Sequence, residues 1–141
     1  EGHIRERWIG DLHEPADGFP LRAKARHQLT EFRRVETGRD LLLAQDAEGF
    51  GEIMDASHRS CAEDCSVSTP ALDALVDAAR EAGAVGARMT GAGFGGYTVN
   101  LVPSDRVQDF STRLKDSYYK DAVTDEFAIM PLQASDGASY A

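Results

Sequence analysis

The chain is poor in three features that often decide how a protein is built or what it binds: cysteine, basic charge and long apolar runs. Its 141 residues include two cysteines, and 15 Lys and Arg stand against 24 Asp and Glu, for a formal net charge of -9. Two cysteines exclude a disulfide-rich scaffold, and an acidic surface repels the phosphates of nucleic acids and anionic membranes. The sequence also lacks the ~18 consecutive apolar residues of a membrane-spanning helix. We therefore expect neither a nucleic-acid nor a membrane partner.

The two cysteines, Cys61 and Cys65, are four positions apart in a polar stretch. On a helix they would share a face, which leaves half of a metal site or a strained local disulfide open as alternatives. No pair of His or Cys residues stands at the spacing of a zinc finger. We expect two reduced thiols without a functional role, and hence a cytoplasmic protein.

The first residues form a charged stretch without the apolar core of a signal peptide, and the sequence begins with Glu1 instead of Met. We expect a piece of a longer protein. The length predicts one domain, and a hydrophobic content of 42% is sufficient for a core. We place an irregular lead-in at residues 1–19, the domain at residues 20–138 and a tail at residues 139–141.

Apolar residues at helical spacing predict two helices in the first half of the domain. The first follows Pro20 and spans about residues 20–36, and we expect Gly38 to end it. A short apolar cluster at residues 41–43 comes next. Asp46 is a residue type that caps helices, and it precedes a second apolar period that begins at Phe50.

Helix-capping residues mark two further helices. Ser68 and Thr69 precede Pro70, which suits the first helical position, and Gly83 is expected to end that helix. Ser104 is expected to cap the last helix, which carries apolar residues as far as Tyr118.

Three segments have the β-branched and aromatic content of strands: residues 86–89, residues 97–102 and residues 126–132. A glycine-rich loop at residues 90–96 separates the first two. The order of elements predicts an α+β fold in which helices pack on one face of a small antiparallel sheet.

Four glycines lie within six positions of that loop: Gly91, Gly93, Gly95 and Gly96. A tight turn needs two glycines at most. Without Cβ atoms, several peptide N–H groups can converge on an anion, so the loop could bind phosphate. A bulge-rich hairpin without a ligand is the equally weighted alternative. The spacing also matches the dinucleotide fingerprint G-x-G-x-x-G, but a strand follows where that motif needs a helix.

Five other polar or aromatic residues have two interpretations each. His58 and Arg59 could face a nucleotide, but a polar helix end with local hydrogen bonds is the favoured interpretation. Arg88 could neutralise phosphate charge or form an ion pair at the strand edge. We expect His27 to lie on a solvated helix face, and the ring of Phe94 to anchor the glycine-rich loop to the core.

The segment from Gly86 to Val99, GARMTGAGFGGYTV, resembles the third sequence motif of galactokinases, which belong to the GHMP kinase superfamily. Further phrases resemble galactokinase sequences in the same order, and together the resemblance covers residues 20–138. These phrases are RAKARH at 22–27, FGEIM at 50–54, SHRS at 57–60, VSTPALD at 67–73 and SDGA at 135–138.

The resemblance implies the ferredoxin-like C-terminal domain of a kinase that uses ATP and Mg²⁺ to phosphorylate galactose at its anomeric hydroxyl. In that family the third-motif loop supports the ATP-phosphate site, a role that corresponds here to Thr90, Gly91, Ala92, Gly93, Phe94, Gly95 and Gly96, with Arg88 as a possible charge partner. The main phosphate loop and the catalytic residues of the family belong to the N-terminal half of the same kinase. We therefore expect that half as a partner and expect this segment alone to be inactive.

The sequence departs from the galactokinase pattern at several positions. Ala92 replaces a frequent glycine, while Tyr97 and Thr69 stand where cysteine is common. Residues 63–66 lack the aromatic residue and one carboxylate of the usual phrase. Kinases for N-acetylgalactosamine or arabinose therefore remain alternatives, as does a non-catalytic regulator that senses galactose and ATP.

Overall fold

The computed structural model describes residue 16, residues 18–120 and residues 128–134, and helices dominate this part of the chain. Helix α1 spans Leu21–Leu43, α2 spans Ala47–Ser60, α3 spans Pro70–Ala82 and α4 spans Val107–Leu114. Strands β1 and β2 span Gly86–Thr90 and Tyr97–Leu101. Shorter turns are π-helical at Cys61–Cys65 and Lys115–Tyr119, and 3₁₀ at Ser104–Arg106.

The two strands form an antiparallel hairpin in which Gly86 pairs with Leu101 and Thr90 with Tyr97. Helix α3 packs against both strands of this hairpin and α4 packs against α3, and the core lies among these elements. Its buried members are Leu75, Val76, Ala79, Ala82, Ala84, Ala87, Phe110 and Leu114. This arrangement confirms the predicted α+β fold with helices packed on a small antiparallel sheet.

Helix α2 lies along the edge of β1 that faces away from β2. The backbones of Gly51 and Gly86 are in such close contact that neither position has room for a Cβ atom. Two side chains of α2 then accept hydrogen bonds from the strand: Asp55 Oδ1 from the Ala87 N–H at 2.9 Å and His58 Nδ1 from the Met89 N–H at 3.3 Å. The strand that leads into the glycine-rich loop is therefore held by a helix on one side and by β2 on the other.

Three predicted helix boundaries are confirmed. Asp46 accepts a hydrogen bond from the Gly49 N–H at 2.9 Å and caps α2. Thr69 accepts one from the Leu72 N–H at 3.2 Å and caps α3. Gly83 ends α3 with a φ of 109°, a left-handed conformation that favours glycine.

The predicted break at Gly38 is wrong, because α1 continues through Gly38 to Leu43. Gly38 is buried where α1 crosses α2, and a Cβ atom at this position would lie 2.9 Å from Ile53 Cδ1 and 3.2 Å from Phe50 Cε2. The glycine thus allows two helices to approach each other closely. Packing between helices outweighs the local cost of glycine, which is about 1 kcal/mol relative to Ala.

Two predictions in the last third of the chain are also wrong where the structure describes them. Ser104 starts a 3₁₀ turn and makes no capping hydrogen bond to α4, which begins at Val107. Of the strand predicted at residues 126–132, residues 128–132 are not in a strand, and residues 126 and 127 lie outside the described residues. So do most of the lead-in at 1–19, the phrase at 135–138 and the tail at 139–141.

Candidate functional site

The loop between β1 and β2 has an unusual backbone. Four of its glycines and Phe94 have positive φ angles: 84° at Gly91, 89° at Gly93, 63° at Phe94, 136° at Gly95 and 95° at Gly96. Residues other than glycine rarely adopt this region. Gly91 and Gly93 have positive φ on either side of Ala92, which does not, and an alternation of hand of this kind lets neighbouring N–H groups point into one concavity that can bind an anion.

Most of these glycines face open space. A Cβ atom built on Gly91, Gly95 or Gly96 would meet no atom of the described chain within 4 Å. Packing within the described chain therefore does not require glycine at these three positions. Bare backbone here leaves room for a ligand or for another part of a longer protein.

One point of the loop is fixed to the rest of the domain. The Phe94 N–H donates a hydrogen bond of 2.7 Å to the Val67 carbonyl, and Val67 N–H in turn donates to the Cys61 carbonyl at 3.0 Å. A Cβ atom on Gly93 would overlap the Val67 carbonyl and lie 2.8 Å from Val67 Cβ. The loop is thus clamped at its middle and open on either side.

The prediction that the Phe94 ring anchors the loop is wrong. The side chain is 73% exposed. The anchor is the backbone amide of the same residue, through its bond to Val67. The aromatic ring is therefore available for contact with something outside the described chain.

Arg88 does not extend toward the loop. It lies on the sheet face opposite Met89 and lines a groove in which Glu31 also lies. Its Nη2 is 4.0 Å from Cys61 Sγ, and its Nε is buried without a hydrogen-bond partner among the described residues. No ion pair of Arg88 shorter than 4.0 Å occurs in the described part of the chain, so the strand-edge pair that we considered is not observed.

His58 is buried, and its partners are distant in sequence. Its Nδ1 accepts from the Met89 N–H, and its Nε2 lies 3.2 Å from Asp73 Oδ1. The favoured expectation of local hydrogen bonds at a polar helix end is therefore wrong for His58, which links three elements. Arg59, its neighbour, is exposed.

The prediction that His27 lies on a solvated face is wrong as well. Its Nδ1 is 2.9 Å from Ser60 Oγ, and the side chain is half-buried. Lys24 donates to the Cys65 carbonyl, and Arg26 forms an ion pair with Asp64. This basic segment of α1 docks on the end of α2 and on the π-helical turn that follows it.

An apolar groove of about 670 Å³ runs between α1, α2 and the open face of the hairpin. Its apolar lining comes from Val35, Leu42, Leu43, Phe50, Ile53 and Val99. Several of these side chains are largely exposed, Leu43 at 78% and Val35 at 71%. An exposed apolar surface of this kind is typical of an interaction site.

The thiols and carboxylates of the described chain do not form a metal site. No group of three or more His, Cys, Asp or Glu residues is arranged to hold a metal ion within residues 18–120 and 128–134. Cys61 is buried and Cys65 half-buried, both as free thiols. Burial raises the pKa of the Cys61 thiol, although Arg88 opposes this, so Cys61 is protonated near neutral pH.

In the same part of the chain, no helix combines the length and apolar character needed to cross a membrane.

Residues 39–120 match the family model described as GHMP kinases C terminal. Among curated proteins, a galactokinase from Roseiflexus sp. (strain RS-1) is 45% identical over 119 residues, which cover 84% of this chain and 30% of that protein. A galactokinase from Mycobacterium tuberculosis (strain ATCC 25618 / H37Rv) is 39% identical over 139 residues, or 96% of this chain and 37% of that protein. The chain thus spans about a third of the length of these relatives.

Two solved structures are similar as well. Lactococcus lactis galactokinase complexed with galactose matches with a TM-score of 0.66 and 34% identity, over 83% of this chain and 29% of that one. L. major mevalonate kinase in complex with R-mevalonate matches with a TM-score of 0.57 and 26% identity, over 70% and 32%.

Proposed function

We propose that this chain, which belongs to the GHMP kinase family, works as the C-terminal domain of a galactokinase. In the proposed reaction the γ-phosphate of ATP is transferred to the anomeric hydroxyl of galactose. The identities of 45% and 39% to galactokinases support galactose as the sugar. A transferase of this kind acts on a small sugar and on ATP, and a cytoplasmic location is part of the proposal, which the free thiols support.

The observation that carries the proposal is the open glycine-rich loop. Its left-handed residues and free space fit the oxygens of a nucleotide phosphate better than they fit a plain hairpin turn, which needs no more than two glycines. We assign the support of the ATP-phosphate site to the loop from Thr90 to Gly96, with its bare amides as the contacting groups. ATP, when bound, supplies the phosphoryl group. The loop would bind and orient the phosphates, and positioning of this kind is the main source of catalysis in phosphoryl transfer.

The proposal includes the N-terminal half of the same kinase as the partner. The apolar groove between α1, α2 and the hairpin offers a surface on which another domain could dock. The galactokinases that match are about three times as long as this chain. We assign Mg²⁺ to the complete enzyme, because this ion usually binds through one or two carboxylates together with the phosphates of a bound nucleotide.

Arg88 has a less direct part in the proposal. It stands two residues before the loop on β1, and its guanidinium lies in the groove. We propose that it serves as a charge partner for a group that the N-terminal half brings to this groove.

The function is tested with the full-length protein that contains this chain. We expect galactose-dependent release of ADP from Mg-ATP, measured in a coupled assay with N-acetylgalactosamine and arabinose in parallel. Turnover at background level with all three sugars would contradict the enzyme and favour a regulator that senses sugar and ATP. The 141-residue chain alone should show no turnover and at most weak nucleotide binding.

The loop is tested by Gly93→Val in the full-length protein. A β-branched side chain at a φ of 89° that also overlaps Val67 should displace the loop and lower kcat at least tenfold, while the helical content stays unchanged. Gly83→Val is the matched control, because Gly83 also has a positive φ but faces open space at the end of α3. It should cost stability and leave kcat near that of the wild type. Equal kinetics in the wild type and Gly93→Val would indicate a hairpin without a catalytic role.

A further inference from the structure

We propose that His58 is a positioning residue that fixes the glycine-rich loop through the backbone of β1. The inference rests on the proposed function of that loop. His58 is 6% exposed and lies on α2, and its polar contacts within the described chain are with Met89 and Asp73, neither of which is in the loop. Its effect on the loop would pass through Met89, the residue before Thr90.

The first contact is with the strand that leads into the loop. The Met89 N–H points away from β2 and donates to His58 Nδ1 at 3.3 Å, and Met89 is 2% exposed. A buried backbone N–H that loses its partner is costly, so the strand depends on an acceptor at this position. Because Nδ1 accepts, the ring proton is on Nε2, which faces Asp73.

The second contact connects His58 to the other anchor of the loop. Asp73 Oδ1 lies 3.2 Å from His58 Nε2 and also accepts a hydrogen bond of 2.5 Å from Ser68 Oγ. Ser68 follows Val67, whose carbonyl holds the Phe94 amide. A series of contacts, two of them side-chain hydrogen bonds and one the close approach of His58 Nε2 to Asp73 Oδ1, therefore connects the start of the loop at Met89 with Ser68, the residue next to the anchor of Phe94.

This series of contacts explains how an otherwise flexible glycine-rich loop keeps one geometry. Glycine residues leave the backbone free to adopt many conformations, which weakens any arrangement of amides that a phosphate needs. Fixed points on both sides of Gly91 and Gly93 restrict the segment between them. His58 is the side chain that connects one fixed point to the other.

Three substitutions in the full-length protein separate the two contacts of the ring, the hydrogen bond from Met89 and the approach to Asp73. His58→Asn places an amide oxygen near the position of Nδ1 and can keep the bond to Met89. His58→Gln places its amide near the position of Nε2 and can keep only the contact with Asp73. His58→Leu keeps a similar volume and loses both. Asp55→Asn is the matched control on the same helix, because it retains an acceptor for the Ala87 N–H, farther from the loop.

Two measurements are needed: amide hydrogen exchange at Met89 and Phe94, and steady-state kinetics with galactose and ATP. We expect His58→Leu and His58→Gln to raise exchange at both amides about tenfold and to lower kcat about tenfold, with KM for the sugar little changed. In His58→Asn, both the exchange rates and kcat should remain close to the wild-type values. Asp55→Asn should match the wild type at Phe94 and in kcat.

The inference is overturned if exchange at Phe94 in His58→Leu equals that in the wild type, or if His58→Asn is as impaired as His58→Leu. If His58→Leu does not fold, the comparison of His58→Asn with His58→Gln still tests the inference, because only His58→Asn can keep the hydrogen bond from Met89. Failure of the proposed function gives a different result: a wild type without turnover in which exchange at Phe94 still responds to His58. An unchanged kcat in variants with faster exchange would reject the effect of His58 on catalysis.

Discussion

Two groups of glycines lie at the two ends of β1, and their surroundings are opposite. At the contact of α2 with β1, Gly51 and Gly86 touch backbone to backbone, and a Cβ atom on either would overlap the other element. In the loop, Gly91, Gly95 and Gly96 have nothing within 4 Å of a built Cβ atom. The first group serves the packing of the domain itself. The second group has positive φ angles and leaves space that the described chain does not fill, and because its members cluster in one loop, unlike Gly83, we assign it to a ligand.

The largest expected effect tests the packing group. Gly51→Val would place a branched side chain on the Val85 carbonyl, and backbone cannot move aside as a flexible side chain can. We expect the free energy of unfolding to fall by about 3 kcal/mol, measured by urea denaturation. Glu52→Val, at the exposed neighbouring position, is the control and should change stability far less. A stability loss at Gly51 no larger than at Glu52 would remove the contrast between the two glycine groups.

A smaller effect on stability, with a clear effect on binding, is expected in the loop. Gly95→Ala adds a methyl group in open space at a φ of 136°, so only backbone strain of about 1 kcal/mol should oppose folding. In the full-length protein the same methyl group should raise KM for ATP about tenfold, because it occupies the space assigned to phosphate. An unchanged KM for ATP alongside the expected strain would show that this side of the loop faces no nucleotide.

The smallest expected effect on stability is at the contact of α1 with α2, which is remote from both glycine groups. Burial alone would raise the pKa of Glu31, but hydrogen bonds from Ser57 at 2.8 Å and Arg34 at 2.6 Å outweigh it and lower the pKa below 4.5. A lowered folded-state pKa stabilises the fold above the unfolded value, and this contribution is lost as the pH falls through the folded value. Ser57→Ala should cost about 1 kcal/mol at pH 7 and progressively less toward pH 3.

Unfolding curves of the wild type and Ser57→Ala between pH 7 and pH 3 measure that difference. A constant gap across this range would indicate that Ser57 acts through packing and not through the charge of Glu31. Kinetics at neutral pH should be unchanged in this variant, because the contact does not reach the loop.

Features that depend on local interactions are predictable from the sequence. Asp46, Thr69 and Gly83 mark helix ends through bonds and backbone angles within three or four residues, so composition alone is informative there. The hairpin is equally predictable from the sequence, because a glycine-rich segment between two β-rich segments has few alternative structures.

The sequence-based predictions are wrong where contacts with a distant element determine the structure. Gly38 interrupts a helix by propensity, but the side chains of Phe50 and Ile53 occupy the space that a larger residue would need. The roles of His27 and His58 depend on partners about 30 residues away in sequence. An aromatic ring among glycines predicts an anchor, but in Phe94 the backbone N–H, through its hydrogen bond to the Val67 carbonyl, anchors the loop. The resemblance to galactokinases identified the loop, and it could not show which residues hold the loop in place.

The contacts of Asp55 and His58 with β1 also bear on solubility. A strand at the margin of a sheet exposes a row of N–H groups that another molecule can extend by β-addition, and this route leads to aggregation. In this domain the Ala87 and Met89 amides are already occupied by side chains of α2. The helix therefore shields the β1 edge of the hairpin from unwanted pairing with a second copy, a protection that an additional strand would provide in a larger sheet.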